Sequence, residues 1–167
     1  MRIPIILISG IPACGKSTYG TWLEQKKGFV HLDVEKNEGA VLRSTGLQAS
    51  WDAMFTTGSA AVFVDDLKEL KQPIVLDWGF PPRYIEIVAA LKTTRMELWW
   101  FDGDRMAARE AFLQRGTLSA AAFKMQMESI DDAWCDIRRL FGSRIVQTVS
   151  AGPDFLAPES IFALMFN

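Results

Sequence analysis

The sequence predicts a single α/β domain in three layers, with a five-stranded parallel sheet between helices. Three observations predict it. Short apolar runs of strand-forming, β-branched or aromatic, residues recur five times, separated by longer segments with helical spacing. A glycine-bracketed turn joins the first run to the first helical segment. The chain has 167 residues, 49% hydrophobic and 23% charged, which suits one domain with a sizeable core. Strands that alternate with helices connect by right-handed crossovers, so both faces of the sheet are covered.

In chain order, residues 3–9 read as a buried strand and 17–27 as the helix that follows it. "GFVHLD" (28–33) is a second strand. Residues 38–71 read as one or two helices interrupted near Gly46 and Gly58. "PIVLDW" (73–78) is a third strand, and Pro81 and Pro82 open a helix running to about Leu91. "MELWWFD" (96–102) is the fourth strand. Residues 104–115 and 119–141 read as two helices separated by "RGT", 144–150 as the fifth strand, and Pro158 and Glu159 as the start of a last helix. The stripe Phe123, Met127, Ile130 and Trp134 has the spacing of a core-facing helix side. No repeat, linker or low-complexity tract interrupts this order.

Composition excludes some functions. Eighteen basic and twenty acidic side chains give a formal net charge of −2, so no extended nucleic-acid surface is expected, although recognition of a strand end stays open. No run approaches the ~18 apolar residues of a membrane span. The N-terminal apolar run is too short for a secretory signal. Cys14 and Cys135 are the only cysteines and have no metal-ligand spacing. They read as reduced thiols of a cytoplasmic protein.

The chemistry is concentrated in "GIPACGKST", residues 10–18. Gly10-x4-Gly15-Lys16-Ser17 is the pattern of a phosphate-binding loop, the Walker A motif, between the strand and helix it requires. Backbone N–H groups of Gly10, Ile11, Ala13, Cys14 and Gly15 must curl around phosphate oxygens, which glycine eases at the turns, while Pro12 belongs to the loop without supplying a donor. The helix beyond directs its positive end at the same anion. Lys16 is placed to reach the β- and γ-phosphates, Ser17 to ligate Mg²⁺, and Thr18 to complete the loop. The cofactors implied are ATP and Mg²⁺. At the ends of later strands, Asp33 or Glu35 is expected to engage an acceptor hydroxyl, and Asp77 to stand near the metal. Trp78 offers a ring for stacking on an acceptor, as against plain packing beside the sheet. Cys14, at a helix N-terminus, is expected to be an acidic thiol whose alkylation blocks nucleotide binding. His31 reads as structural rather than catalytic.

The loop resembles the G-x-P-x-x-G-K-S-T loop of the small P-loop kinases, in particular polynucleotide 5′-hydroxyl kinases, zeta-toxin-like kinases and seryl-tRNA kinases. Ala13 stands where glycine is common. The resemblance implies the P-loop fold, with a lid over about 104–141. Asp33-x-x-Lys36 is similar to the family's D-x-x-R, with lysine for the arginine that grips a substrate phosphate. Measured from "GF", Glu35 rather than Asp33 holds the equivalent position in polynucleotide kinases; the preference here is Asp33. Arg83 resembles the arginine found just after the third strand, at a shorter spacing. Arg115 matches the lid arginine of R-G-T at the same distance from Asp102. The second lid arginine falls at Ala111 and is missing, with Arg109 as a substitute. Residues 38–71, where acceptor specificity usually lies, match no pattern. The resemblance thus implies transfer of the γ-phosphate to a hydroxyl of a small metabolite or of a nucleic-acid 5′ end. The contrasting expectation is a non-catalytic, regulatory nucleotide-binding protein.

Overall fold

A computed structural model describes residues 3–116, 119–150 and 154–166. Its five strands are β1 (Ile5–Gly10), β2 (Val30–Asp33), β3 (Ile74–Asp77), β4 (Glu97–Gly103) and β5 (Ile145–Val149). All neighbouring pairs are parallel, in the order β2-β3-β1-β4-β5. The strand that leads into the glycine turn is therefore central, and its Ile6, Leu7 and Ile8 are fully buried. A strand covered on both faces reads as a continuous apolar run rather than an alternation.

Nine helices lie among the described residues: α1 (Lys16–Lys27), α2 (Ala40–Ser44), α3 (Gln48–Thr57), α4 (Ala61–Glu69), α5 (Ile85–Thr93), α6 (Arg105–Gln114), α7 (Ala120–Asp132), α8 (Trp134–Phe141) and α9 (Pro158–Phe166). Two adjacent residues of β4 display the layering, since successive strand side chains point to opposite faces. Trp100 packs on Phe141 and Trp134, with ring centroids 5.4 and 6.3 Å away. Phe101 turns the other way to Tyr19 of α1, at 5.5 Å. On that second face α1 carries α9, through Trp22 and Phe162 at 5.9 Å and a Trp22 Nε1–H bond to Glu159. No helix among the described residues is long and apolar enough to cross a membrane.

The expected element order is found, with two refinements. Residues 38–71 form three helices rather than one or two, with left-handed glycines at Gly46 and Gly58 separating them. Residues 119–141 are not one helix: the path bends at Ala133, which ends α7 and begins α8. Alanine does not break helices by propensity, so packing sets the bend, which lets Trp134 and Phe141 both reach Trp100. Phe123, Met127 and Ile130 are buried, as their stripe predicts, whereas Trp134 belongs to the next helix and is half-buried.

The strand registers level the functional ends of the sheet. Asp77 pairs with Ile8 on one side and with Asp33 on the other. On the far side the β4–β5 register shifts between Asp102 and Gly103. There, a Cβ on Gly103 stands 2.4 Å from the Val149 carbonyl oxygen, so a side chain forces the two backbones apart. Gly103→Ala is expected to destabilise the fold by about 2–3 kcal/mol, the scale of overpacking, read as a lower urea midpoint at unchanged slope.

Candidate active site at the carboxyl edge of the sheet

The turn after β1 is fastened to the sheet before it curls. A Cβ on Gly10 meets the Phe101 carbonyl oxygen at 2.1 Å, and Ile11 N–H donates to that oxygen at 3.1 Å. Only glycine permits so close an approach of backbone to backbone. Farther along, the buried Thr148 hydroxyl donates to the Cys14 carbonyl at 2.8 Å and lies 3.3 Å from that of Asp102. Thr148 thus ties the loop to β4 and β5. Ala13 holds φ 57° and Gly15, the residue before α1, φ 89°. No side chain caps α1 at that end and its first turn has no acidic residue, which leaves the helix terminus suited to an anion.

Lys16 folds back over this loop, its ammonium donating to the Ile11 carbonyl at 3.2 Å. Burial opposes its charge, but Cys14, Asp77 and Glu35 together outweigh burial and hold its pKa above the ordinary lysine value, against repulsion from Arg115. A fixed positive charge therefore stands beside two carboxylates at the end of the sheet.

The carboxylates take different roles. Asp77 is 1% exposed and lies 3.3 Å from His31 Nε2. Asp33 accepts the backbone N–H groups of Glu35 and Lys36 at 3.2 and 3.0 Å, which ends β2 in a turn. His31, Asp33 and Asp77 each offer a ligand atom, all within 4.8 Å of one another. Glu35 reaches across to Gly79, whose N–H donates to its Oε2 at 2.9 Å. A Cβ on Gly79 comes within 3.0 Å of that oxygen and 3.6 Å of Lys16 Cε, so Glu35, exposed at the rim, faces the lysine.

Other expected site residues divide. Ser17 and Lys36 share a cavity of about 510 Å³ with His31 and Asp33. Arg115, at the end of α6, lines another of about 460 Å³ with Cys14, Gly15 and Thr18, and so faces the loop. The next residue of the R-G-T lid, Gly116, is described and Thr117 lies outside the described residues. Arg109 is not brought there: it lines a separate hollow between α6 and α7 with Arg105 and Met127, one helical face away. Arg83 stacks on Tyr84 at 4.8 Å. The stacking role for Trp78 needs correcting, because its ring is 5% exposed and wedged edge-on against Trp51 and Phe55 at 5.0 and 5.8 Å. It packs the sheet end.

Cys14 also departs from expectation. The thiol is 1% exposed, and burial raises its pKa above the usual cysteine value despite Lys16 beside it. A helix N-terminus lowers a thiol's pKa only where water reaches it. Two contributors were missed in the sequence. Thr148 carries no local motif, because its role arises from strand pairing. Phe155 pairs across from Val149 and lies 3.4 Å from where a Gly15 side chain would start, forming an apolar wall of the Arg115 cavity with Pro158 and Ile161.

No protein-family model matches the chain. Among curated proteins it is similar to the adenylate kinase isoenzyme 6 homolog of Caenorhabditis elegans, 30% identical over 118 residues, covering 65% of this chain and 60% of that protein. The chain thus spans less than two thirds of the relative's length. Among solved structures it is similar to a gluconokinase from Sinorhizobium meliloti 1021, with TM-score 0.54, 16% identity and coverage of 97% of this chain and 90% of that one. It is also similar to shikimate kinase from Bacteroides thetaiotaomicron, with TM-score 0.55, 12% identity and coverage of 98% and 96%. The chain has the fold of the small P-loop kinases.

Cys14, Lys16 and Tyr19 all hold their protons more tightly in the folded chain than in the unfolded one, Tyr19 through burial. Where the native state binds more protons, stability falls as pH rises. Urea midpoints are therefore expected to stay level through neutrality, decline from about pH 8.5, where an unfolded thiol ionises, and fall more steeply beyond about 10. Cys14→Ala removes the first decline. In the same samples a thiol reagent is expected to label Cys135, which is exposed, and to leave Cys14 unlabelled until denaturant is added.

Proposed function

We propose that the protein is an ATP- and Mg²⁺-dependent phosphotransferase that passes the γ-phosphate to an alcohol. The observation that carries this reading is the convergence of Lys16, Asp77 and Glu35 at one end of the sheet, with electrostatic coupling of both carboxylates to the lysine. The phosphates belong in the loop of residues 10–18, against the uncapped start of α1. The nucleoside fits the apolar cavity walled by Phe155 and Pro158. Ser17 and Asp77 suit Mg²⁺: the first is exposed at the start of α1 and the second is a buried carboxylate beside the loop. When bound, the ion offsets charge on the phosphate oxygens.

Phosphoryl transfer asks mainly for positioning and charge compensation. Lys16 and Arg115 supply positive charge to the transferring group from two sides. The acceptor oxygen forms a bond to the γ-phosphorus while the bond to the β-bridging oxygen breaks, ADP leaves, and the hydroxyl proton passes to a carboxylate. Asp33 and Glu35 are the candidates. One oxygen of Asp33, Oδ1, accepts two backbone N–H groups, and the residue lies beside His31 and Asp77, whereas Glu35 stands exposed beside Lys16. Glu35 therefore takes the proton in this proposal, and Asp33 is assigned to the metal side.

A second reading comes from the name of the C. elegans relative: an adenylate kinase homolog passes phosphate to a nucleotide rather than an alcohol. The test follows label from γ-labelled Mg·ATP into three parallel acceptors: a pooled metabolite extract, a 5′-hydroxyl oligonucleotide, and AMP. Label in either of the first two supports an alcohol acceptor, and label in AMP alone supports the second reading. Lys16→Ala and Asp77→Asn are expected to lose transfer by at least about 100-fold, the scale of removing a transition-state charge partner. Glu35→Gln is expected to lower kcat more than Asp33→Asn at saturating Mg²⁺. Tight nucleotide binding with no label in any acceptor supports a regulatory nucleotide-binding protein instead.

A further inference from the structure

Gly79 follows β3 at the rim of the site, and nothing in its own backbone calls for glycine. Its φ lies outside the left-handed region, unlike that of Gly15. Its neighbours are clamped. Trp78 N–H donates to the Ile8 carbonyl at 3.1 Å, the Phe80 ring is buried and stacks on Phe141 at 6.3 Å, and Pro81 stiffens the backbone beyond. What fills the space of the missing side chain is Glu35 and Lys16. A Cβ on Gly79 lies 3.0 Å from Glu35 Oε2, 3.6 Å from its Oε1 and 3.6 Å from Lys16 Cε. Glu35 is held at both ends. Its backbone is fixed because Val34 N–H donates to the Asp77 carbonyl at 3.2 Å and Asp33 Oδ1 accepts the N–H of Glu35 itself at 3.2 Å. Its carboxylate is fixed by the Gly79 N–H at 2.9 Å.

Taking Glu35 as the proton acceptor of the transfer proposed above, a reading on which this rests, we infer that Gly79 is its positioning residue. The Gly79 N–H and the lack of a side chain together hold the Glu35 carboxylate beside Lys16. An exposed glutamate has many rotamers and loses entropy when one is fixed. A donor on clamped backbone confines the carboxylate before any acceptor arrives. Confinement matters because a general base acts only within hydrogen-bond reach of the hydroxyl, and a misplacement of about 1 Å costs up to about 100-fold. A methyl group at position 79 acts unequally on the groups around it. The backbone there cannot retreat, whereas Glu35 Oε2 is the far end of a flexible side chain, so Glu35 gives way. Lys16 Cε stays at an ordinary contact distance of 3.6 Å, so the lysine keeps its place. Substitution at Gly79 therefore separates the proton acceptor from the phosphate-binding loop.

The test has two arms, one of which needs no turnover. In nucleotide-free protein, hydrogen exchange of single amides is followed by NMR. Glu35→Ala is expected to speed exchange of the Gly79 amide by at least about tenfold, the scale of losing a bond to a charged acceptor. The Trp78 amide, bonded to Ile8, is expected to keep its rate. In the second arm, transfer from Mg·ATP is followed into whichever of the three acceptors above takes label. Gly79→Ala is expected to lower kcat about 10- to 100-fold and to leave KM for Mg·ATP within about threefold. Its Tm is expected to stay within about 3 °C of the native chain, the scale of a minor packing change. Added to Glu35→Gln, it is expected to cost less than about twofold more, because no proton-accepting carboxylate is left to position. An unchanged Gly79 exchange rate in Glu35→Ala overturns the inference. So does a Gly79→Ala loss as large in the Glu35→Gln background as in the native one, or a loss confined to KM for Mg·ATP, which marks a phosphate-binding residue. A native chain that transfers to no acceptor refutes the phosphotransferase reading, and the exchange arm then decides the Glu35–Gly79 contact by itself.

Discussion

The backbone contact between Gly10 and Phe101 is the constraint from which the site follows. With the Phe101 carbonyl 2.1 Å from any Cβ at Gly10 and accepting from Ile11 N–H, the chain leaving the central strand turns tightly over the sheet end. That turn presents the Ile11 carbonyl to Lys16 and the Cys14 carbonyl to Thr148. β1 lies between β3 and β4, so everything at their carboxyl ends converges on the loop. Ligand crevices of open α/β sheets arise at these ends for this topological reason.

Electrostatics then sorts the groups that topology collects. Lys16 keeps its charge because Cys14, Asp77 and Glu35 together outweigh the effect of burial. Asp77 is buried, and its hydrogen-bond partner is the His31 ring. Glu35 is exposed but held by the Gly79 N–H. One carboxylate is thus fixed within the sheet end and another is posted at its rim, which is the division of labour the proposed transfer uses.

Much of this was legible in the sequence because it is local. The glycine turn with its lysine and hydroxyl spans nine residues, 10–18, directly between the strand and the helix it joins, and the five apolar runs announce a parallel sheet. Asp33 and Asp77 follow from their places at the ends of such runs. What was not legible depends on register or burial. Nothing near Thr148 signals that its hydroxyl meets Cys14, 134 residues away. Cys14 has an acidic thiol's neighbours but not its access to water. Trp78 and Arg109 stand at promising sequence positions, yet the tryptophan is needed among Trp51 and Phe55 and the arginine falls on the wrong side of α6. The bend at Ala133 goes with ring contacts of Trp134 and Phe141 to Trp100 on β4, which no local sequence signal announces. His31 carries no local signal of its surroundings, because the notch at Gly20 that its ring fills emerges only when β2 lies against α1.

The central claim is that the loop of residues 10–18 grips a triphosphate through Lys16. Calorimetric titration with the Mg²⁺ complex of a non-hydrolysable ATP analogue tests it most directly, with Lys16→Ala as the comparison. The account predicts one site per chain, weakened by at least about 1.5 kcal/mol, the scale of a lost charge-assisted contact, or more than tenfold, in the variant. Absence of binding to the native chain, or equal affinity in both proteins, would contradict it.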